Sequence, residues 1–284
     1  MKKKLTLILL SIMMVNGILS AQENKNSYTT KFGEYKLILL SEGQQQGNTG
    51  ILLKATPEML KEYAPDGKFP NATNTFLLQT GNKNILFDTG FGKLLFDHLK
   101  ALGLTANDID EVLLTHMHGD HIGGLLIDGK AAFPNAKLYI AQLEYEYWSD
   151  KENIQAILKA YEGKVELFEP NELNNITISV LPGIKAIAAY GHTPGHAVFE
   201  IGSGKDKLLI WGDLTHAMAV QMPHPEIAVT YDTNPEQAIR SRLAILDYVS
   251  KNKIPIAGMH IAYPAMGNIT ANTQNGYEFI PLKK

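Results

Sequence analysis

The chain has 284 residues, 45% hydrophobic and 19% charged, which excludes disorder, collagen and coiled coil and suits one large domain or two small ones. Lysine and arginine number 26 against 29 aspartates and glutamates, so the net charge of −3 recommends no nucleic-acid partner. Cysteine is absent, which removes disulfides, thiol nucleophiles, iron–sulfur clusters and thiolate zinc sites together. Any metal here must be held by histidine and carboxylate.

Lys2, Lys3 and Lys4 precede an apolar run from Leu5 to Val15, and a small-residue stretch ends at Ser20-Ala21-Gln22. A basic start, a short apolar core and a small-residue end describe a secretory signal peptide over residues 1–21, cleaved after Ala21. A spanning helix needs about 20 apolar residues, so a membrane anchor is the weaker alternative. Cleavage takes three lysines and no acid, leaving 23 positive and 29 negative charges, a net −6. The expectation is an exported soluble protein, periplasmic or secreted, with no membrane contact once mature.

Apolar runs bounded by glycine predict strands at Tyr35 to Leu40 and Ile51 to Leu53. Thr75 to Thr80, a Gly/Asn turn at residues 81–84, and Ile85 to Phe87 form a predicted hairpin. Leu94, Leu95, Leu99 and Leu102 fall at helical spacing ahead of Gly103, and Thr105 with Asp108 makes a variant capping box. Strands are predicted at Val112 to Thr115 and Lys137 to Ala141, then a mainly helical stretch from Glu144 to Tyr161. Further strands follow at Ile176 to Leu181, Ile184 to Ala189, Ala197 to Ile201 and Lys207 to Trp211. Asn234 caps a helix from Pro235 to Lys251, and Ile254 to Met259 is a last strand. Strands and helices alternate without repeat or linker, so residues 22–284 are expected to form one α/β domain.

Three of the nine histidines fall within six residues, in Thr115-His116-Met117-His118-Gly119-Asp120-His121. His116 and His118 share one face of an extended chain and can reach one metal. Asp120 and His121 follow a turn at Gly119 and can point to a second metal beside it. Imidazole and carboxylate suit Zn²⁺ or another first-row divalent ion. A histidine-rich surface turn is the bland alternative, disfavoured by the buried strand just before it.

His-x-His-x-Asp-His after a strand resembles the metallo-β-lactamase superfamily, and the other motifs follow in order. Phe87-Asp88-Thr89-Gly90 resembles the acidic turn beneath the metals, and Gly191-His192-Thr193-Pro194-Gly195-His196 the third motif. Trp211-Gly212-Asp213 resembles the fourth and Gly258-Met259-His260 the fifth. The match spans residues 34–282. Stretches 211–216 and 260–264 look most like the methyl parathion hydrolase branch, with acyl-homoserine lactonases as near relatives. Those lactonases commonly carry tyrosine where this chain has His216.

The resemblance implies a four-layer αβ/βα sandwich with two divalent ions, Zn²⁺ first, with Mn²⁺, Co²⁺ or Fe²⁺ also accepted by such ligands. It implies His116, His118 and His192 on one ion, Asp120, His121 and His260 on the other, and Asp213 shared. Asp120, Asp213 and His216 are the expected catalytic group, acting on a bridging water whose pKa two metals bring near neutrality. Asp88 is either a turn former or a partner behind a ligand histidine. His196 is expected behind the site, and Tyr145, Tyr147 and Trp148 are expected to pack a helix rather than wall a substrate. Such relatives are often dimers, so the resemblance allows a homodimer, although the sequence itself does not fix the oligomeric state.

The stretches that carry ligands, residues 116–129, 186–204, 214–234 and 260–282, contain no lysine or arginine. They supply Leu125, Leu126, Met218, Val220, Met222, Ile227, Tyr231, Tyr263, Met266, Ile269 and Phe279 as an expected apolar rim, with Lys54, Lys61 and Lys68 able to reach over it. The expected activity is hydrolysis of a neutral, partly apolar small molecule: a lactone of acyl-homoserine type or a carboxylic ester, with a phosphotriester as alternative. An iron-dependent redox enzyme and a non-catalytic metal scaffold are the rivals of other classes.

Overall fold

The computed structural model describes residues 26–272 and 276–283; the expected signal peptide lies outside the described residues. The first half of the chain contributes β1 (Ser27–Phe32), β2 (Tyr35–Asn48), β3 (Leu52–Leu53), α1 (Pro57–Tyr63), β4 (Lys68–Thr80), β5 (Lys83–Phe87), α2 (Leu95–Ala101), β6 (Glu111–Leu113), α3 (Gly119–Ile122), β7 (Leu126–Ile127), β8 (Lys130–Ala131), β9 (Lys137–Ala141), α4 (Gln142–Trp148), α5 (Glu152–Ala160) and β10 (Val165–Phe168). Seven of these strands form a sheet in the order β1-β2-β4-β5-β6-β9-β10. The second half adds β11 (Ile184–Ala188), β12 (Ala197–Ser203), β13 (Asp206–Ile210), α6 (Met218–Gln221), β14 (Ala228–Val229), α7 (Pro235–Asn252), β15 (Ile256–Ala257), β16 (Met266–Ala271) and β17 (Tyr277–Pro281). Here six strands order as β11-β12-β13-β15-β16-β17.

β2 and β5 read as unbroken apolar runs because both faces are buried. Leu37 and Leu39 point into the core shared with the second sheet, where Phe76, Phe87, Phe199 and Ile210 meet. Ile38 and Leu40 point the other way, against Leu95 and Leu99 of α2 and Ile154 and Ile157 of α5. Ile245, Leu246 and Val249 of α7 close the far side of the second sheet. The layers run helix, sheet, sheet, helix, which is the αβ/βα sandwich expected from the sequence.

β5, β6 and β9 run parallel, as do β13 and β15, so their C-terminal ends open on a common edge. That edge is where the histidine-bearing loops start. Among the described residues no helix is long and apolar enough to cross a membrane.

Three expected elements differ. Residues 176–181 form no strand beyond an isolated bridge at Leu181. The Asn171 side chain occupies their backbone instead, accepting from the Thr177 and Ile178 amides and donating to the Ile178 carbonyl. The helix expected over 144–161 is two, broken at 149–151, where Ser149 and Asp150 are poor helix formers. β2 continues eight residues past Leu40, through Gln44, Gln45 and Gln46, and pairs with β4 down to Lys68 after a bulge between Ser41 and Gly43.

Candidate metal centre

Each expected ligand sits on a loop just past a strand end. His116, His118, Asp120 and His121 follow β6; His192 follows β11; Asp213 follows β13; His260 follows β15. The turn at Gly212 needs glycine twice over. Its φ is +56°, and a Cβ there would lie 2.5 Å from Nε2 of His196.

Donor atoms of His116, His118, His192 and Asp213 lie within 4.8 Å of one another, and so do those of Asp120, His121 and His260. Asp213 joins the two sets. Its Oδ2 is 3.6 Å from His116 Nε2, 3.3 Å from His192 Nε2 and 3.1 Å from His260 Nε2. Its Oδ1 is 3.2 Å from His121 Nε2, and neither atom has a hydrogen-bond partner among the described residues.

Partners behind the rings decide which nitrogen faces inward. His192 Nδ1–H donates to Asp232 Oδ1 at 2.9 Å, His121 Nδ1–H to Asp88 Oδ2 at 2.7 Å, and His260 Nδ1–H to the Ala72 carbonyl at 2.9 Å. Thr115 gives its hydroxyl proton to Asp88 and therefore accepts from His116 Nδ1–H at 3.1 Å. Four Nε2 atoms are thus aimed at one buried volume. His118 Nδ1 stands 3.0 Å from both His116 Nε2 and His192 Nε2. Ring nitrogens this close need a proton or a metal cation between them, and the buried Asp213 carboxylate at their centre favours positive charge there. The donor set fits two divalent ions.

The protein's own charges split the imidazoles. Burial, then the positive field of neighbouring histidines, holds His116 well below the ordinary range and His118 at about 4. Burial also works to lower His121 and His192, yet the carboxylates prevail. Asp213, Asp120 and Asp88 hold His121 well above its usual value, and Asp213 with Asp232 raises His192 to about 9. Burial opposes ionisation of Asp213, but His121, His260, His116 and His216 draw its pKa well below the carboxylate range.

A family model for the metallo-beta-lactamase superfamily matches residues 69–253. The chain belongs to that superfamily. A solved metallo-β-lactamase-fold relative, hydrolase AbOPH, is 26% identical with a TM-score of 0.81, covering 93% of this chain and 99% of its own. AidC, a dizinc quorum-quenching lactonase solved with its product N-hexanoyl-L-homoserine, is 27% identical with a TM-score of 0.81, over 92% of this chain and 99% of its own. An atrochrysone carboxyl ACP thioesterase of Aspergillus chevalieri is 33% identical over 165 residues, 56% of this chain and 46% of its own. One from Passalora fulva is 44% identical over 77 residues, 25% of this chain and 22% of its own. The chain spans less than half of the length of these two curated relatives.

All seven expected metallo-β-lactamase ligands are therefore brought together. His216, expected among the catalytic group, is buried beside them, its Nε2 3.1 Å from Asp213 Oδ2 and its ring stacked 4.8 Å from His260. His196 lies behind, accepting the Asp213 N–H at Nε2 and donating from Nδ1 to the Ala189 carbonyl. Trp148 packs edge-on against His118 at 5.5 Å and does not line the cavity.

Sequence reasoning missed the supports. Glu144 is buried and accepts four bonds, from Met117 N–H, Trp148 Nε1–H, the Thr193 hydroxyl and Gly195 N–H. It ties the His116–His121 loop to the His192 loop. Arg242 donates to the carbonyls of Leu214, Pro225 and Ile227, holding the loop past Asp213. Asn74 donates to the carbonyls of Gly258 and Ile261, clamping the His260 loop onto the first sheet. Each is a lone polar residue whose partners lie far away in sequence, so no signal in a single sequence marks it.

The expected apolar rim is also corrected. Of those eleven residues only Tyr231 lines the cavity. Leu125, Val220, Met222, Ile227, Met266 and Ile269 face inward and are buried in the core, where their apolar surface is worth more. The cavity, about 580 Å³, is lined instead by Ile51, Phe69 and Phe91 together with the amides of Gln45, Gln46, Asn48 and Asn71. None of Lys54, Lys61 and Lys68 reaches it, and its lining contains no lysine or arginine.

Proposed function

We propose that this metallo-β-lactamase-superfamily hydrolase cleaves an uncharged ester-like bond, a lactone of acyl-homoserine type before an open carboxylic ester. The observation that carries the reading is the cavity directly over the converging imidazoles: amide and apolar walls, with no cation to receive an anionic substrate. The likeness to a dizinc lactonase over nearly its whole length supports the lactone. A thioester is the second reading, supported by the thioesterase names of the curated relatives. A phosphotriester, also uncharged, is the alternative at phosphorus.

His116, His118, His192 and Asp213 would hold one divalent ion, and Asp120, His121, His260 and Asp213 the other. Two such ions supply the Lewis acidity that makes water nucleophilic at neutral pH and polarises a substrate oxygen. The chain's part is orientation. Asp88, Thr115, Asp232 and the Ala72 carbonyl hold the rings of His121, His116, His192 and His260, so these four need not reorient during a turnover. Asp120, with a quarter of its side chain exposed at the cavity floor, is the carboxylate best placed to take a proton there. His216 lines the same floor and meets the substrate from the Tyr231 side.

Export after cleavage near Ala21, with the domain over residues 22–284, belongs to the same proposal. The deciding experiment offers lactones, thioesters, aryl esters, phosphotriesters and β-lactams to the zinc-loaded protein. Fastest turnover on lactones supports the reading. Turnover of none of them, with both metals bound, removes it.

A further inference from the structure

The cavity wall made by the β2 extension carries a chain of side-chain amides whose direction is fixed from one end. It begins at the main-chain carbonyl of His216, which can only accept. The Asn71 amide therefore turns its NH₂ to that carbonyl, donating at 2.8 Å, and its oxygen is left facing outward. Gln45, the cross-strand neighbour of Asn71, must answer with its own NH₂. It donates at 3.2 Å to Asn71 Oδ1 and at 3.3 Å to Thr73 Oγ1. A flipped Gln45 would set two carbonyl oxygens against each other. Its Oε1 is consequently the free end of the chain, with no protein donor among the described residues, on a side chain that lines the cavity.

We infer that Gln45 Oε1 is a specificity subsite that accepts a hydrogen bond from an uncharged N–H or O–H donor beside the scissile group. This deepens the proposed function and rests on its placing of the substrate in this cavity. An acceptor fixed in orientation favours ligands that donate, and a ligand without a donor leaves it stripped of water and unpaired. Lactones bearing an acylamido or hydroxyl substituent meet the requirement. Phosphotriesters and unsubstituted lactones do not, although both are uncharged. In the same lining, Ile51, Phe91 and Tyr231 offer apolar surface for the remainder of the molecule, such as an acyl tail. The local backbone is built for this wall: a Cβ at Gly47 would lie 2.1 Å from Phe69 Cε2, so glycine lets the ring pack flat across the strand pair.

Binding of γ-lactams methylated at the ring nitrogen, which resist opening and bring no ring N–H donor, tests the subsite apart from turnover. Four probes carry, on the ring carbon, a hexanoylamido group, its N-methyl counterpart, a hydroxyl in place of the amide, or the methyl ether of that hydroxyl. Calorimetry on the zinc-loaded protein and its Gln45→Leu variant compares them. The N–H probe should bind about three- to tenfold more tightly than the N-methyl probe, the range of one hydrogen bond. Gln45→Leu should erase that preference, and because Gln45 is exposed on its strand the variant should fold normally. The hydroxyl probe tells which donor is read, since tighter binding than its methyl ether assigns O–H. An equal preference in both proteins, no preference in the parent, or failure of every probe to bind overturns the subsite. Lactone turnover is scored separately. Turnover without the preference removes the subsite and leaves the hydrolase, whereas the preference without turnover does the reverse.

Discussion

Asp213 donates its backbone N–H to Nε2 of His196 at 3.0 Å, so the ring behind the centre must stay neutral to hold the shared carboxylate in place. Burial, reinforced by the positive field of His192, keeps His196 at about 3, against an ordinary 6.5. A histidine depressed in the folded state binds fewer protons there than in the unfolded chain between those values. Its contribution is therefore complete above pH 6.5 and is lost as pH falls towards 3. His216, depressed to about 4 by burial, acts in the same direction. His192, raised to about 9, acts oppositely: its contribution is complete below pH 6.5 and lost as pH rises through 9. Urea unfolding of chelator-treated protein should show stability falling between pH 6.5 and 4, more steeply than in His196→Gln. Equal slopes would remove His196 from the account.

Glu144 makes the second prediction. Each of its oxygens accepts two donors, so Glu144→Gln sets an NH₂ against two of them and leaves buried donors unpaired. The expected cost is about 1–3 kcal/mol. The loss should fall first on the ion held by His118 and His192, whose loops Glu144 joins. Metal content after gel filtration should drop below two per chain while circular dichroism stays that of the parent. Full retention of both ions would show that the loops hold their geometry without Glu144.

The contrast between these residues and the ligands shows what a single sequence reveals. The ligands come as clusters, with two or three chemical residues inside six positions after an apolar run, and clusters stand above background. Asp232, in a loop, and Glu144, on α4, act alone, 40 and 27 residues from His192 and Met117 in sequence, and only folding makes them neighbours. The β2 extension was hidden for a different reason. Its burial pattern offers no apolar alternation beyond Ser41, and it is a strand because β4 provides a partner across which Gln45 meets Asn71. The rim failed because apolar loop residues are as useful under a loop as around a cavity. Composition does not distinguish the two.

Metal content distinguishes the roles of Asp213 and His216. Asp213 stands between both donor sets, so Asp213→Ala should lose metal stoichiometry along with rate. His216→Ala leaves seven donors untouched and should keep two ions per chain with altered kcat or KM. Exhaustive chelation should abolish turnover, and Zn²⁺, Mn²⁺ or Co²⁺ should restore it. Two tightly held ions and normal turnover in Asp213→Ala would disprove the shared-ligand assignment.

Substrate charge is the most exposed consequence of the cavity. Penicillins and cephalosporins carry a carboxylate, and burying it costs several kcal/mol unless a cation answers it. The lining provides amides, aromatic rings and an isoleucine, together with the carboxylates of Asp120 and Asp213, and neither lysine nor arginine. Two ions held by these residues would themselves attract an anion, but nothing else in the lining would answer a carboxylate set apart from the scissile bond. A neutral lactone needs no such partner, and Phe91 and Tyr231, each about half exposed, would offer its tail an apolar surface. An acyl lactone should therefore exceed a cephalosporin of similar size by at least tenfold in kcat/KM, about 1.4 kcal/mol or more in transition-state binding. Introducing a cation at the wall, as in Gln46→Arg, should narrow the gap by raising cephalosporin turnover. Comparable kcat/KM for the two substrates in the parent would show that the absence of a wall cation does not set the selectivity.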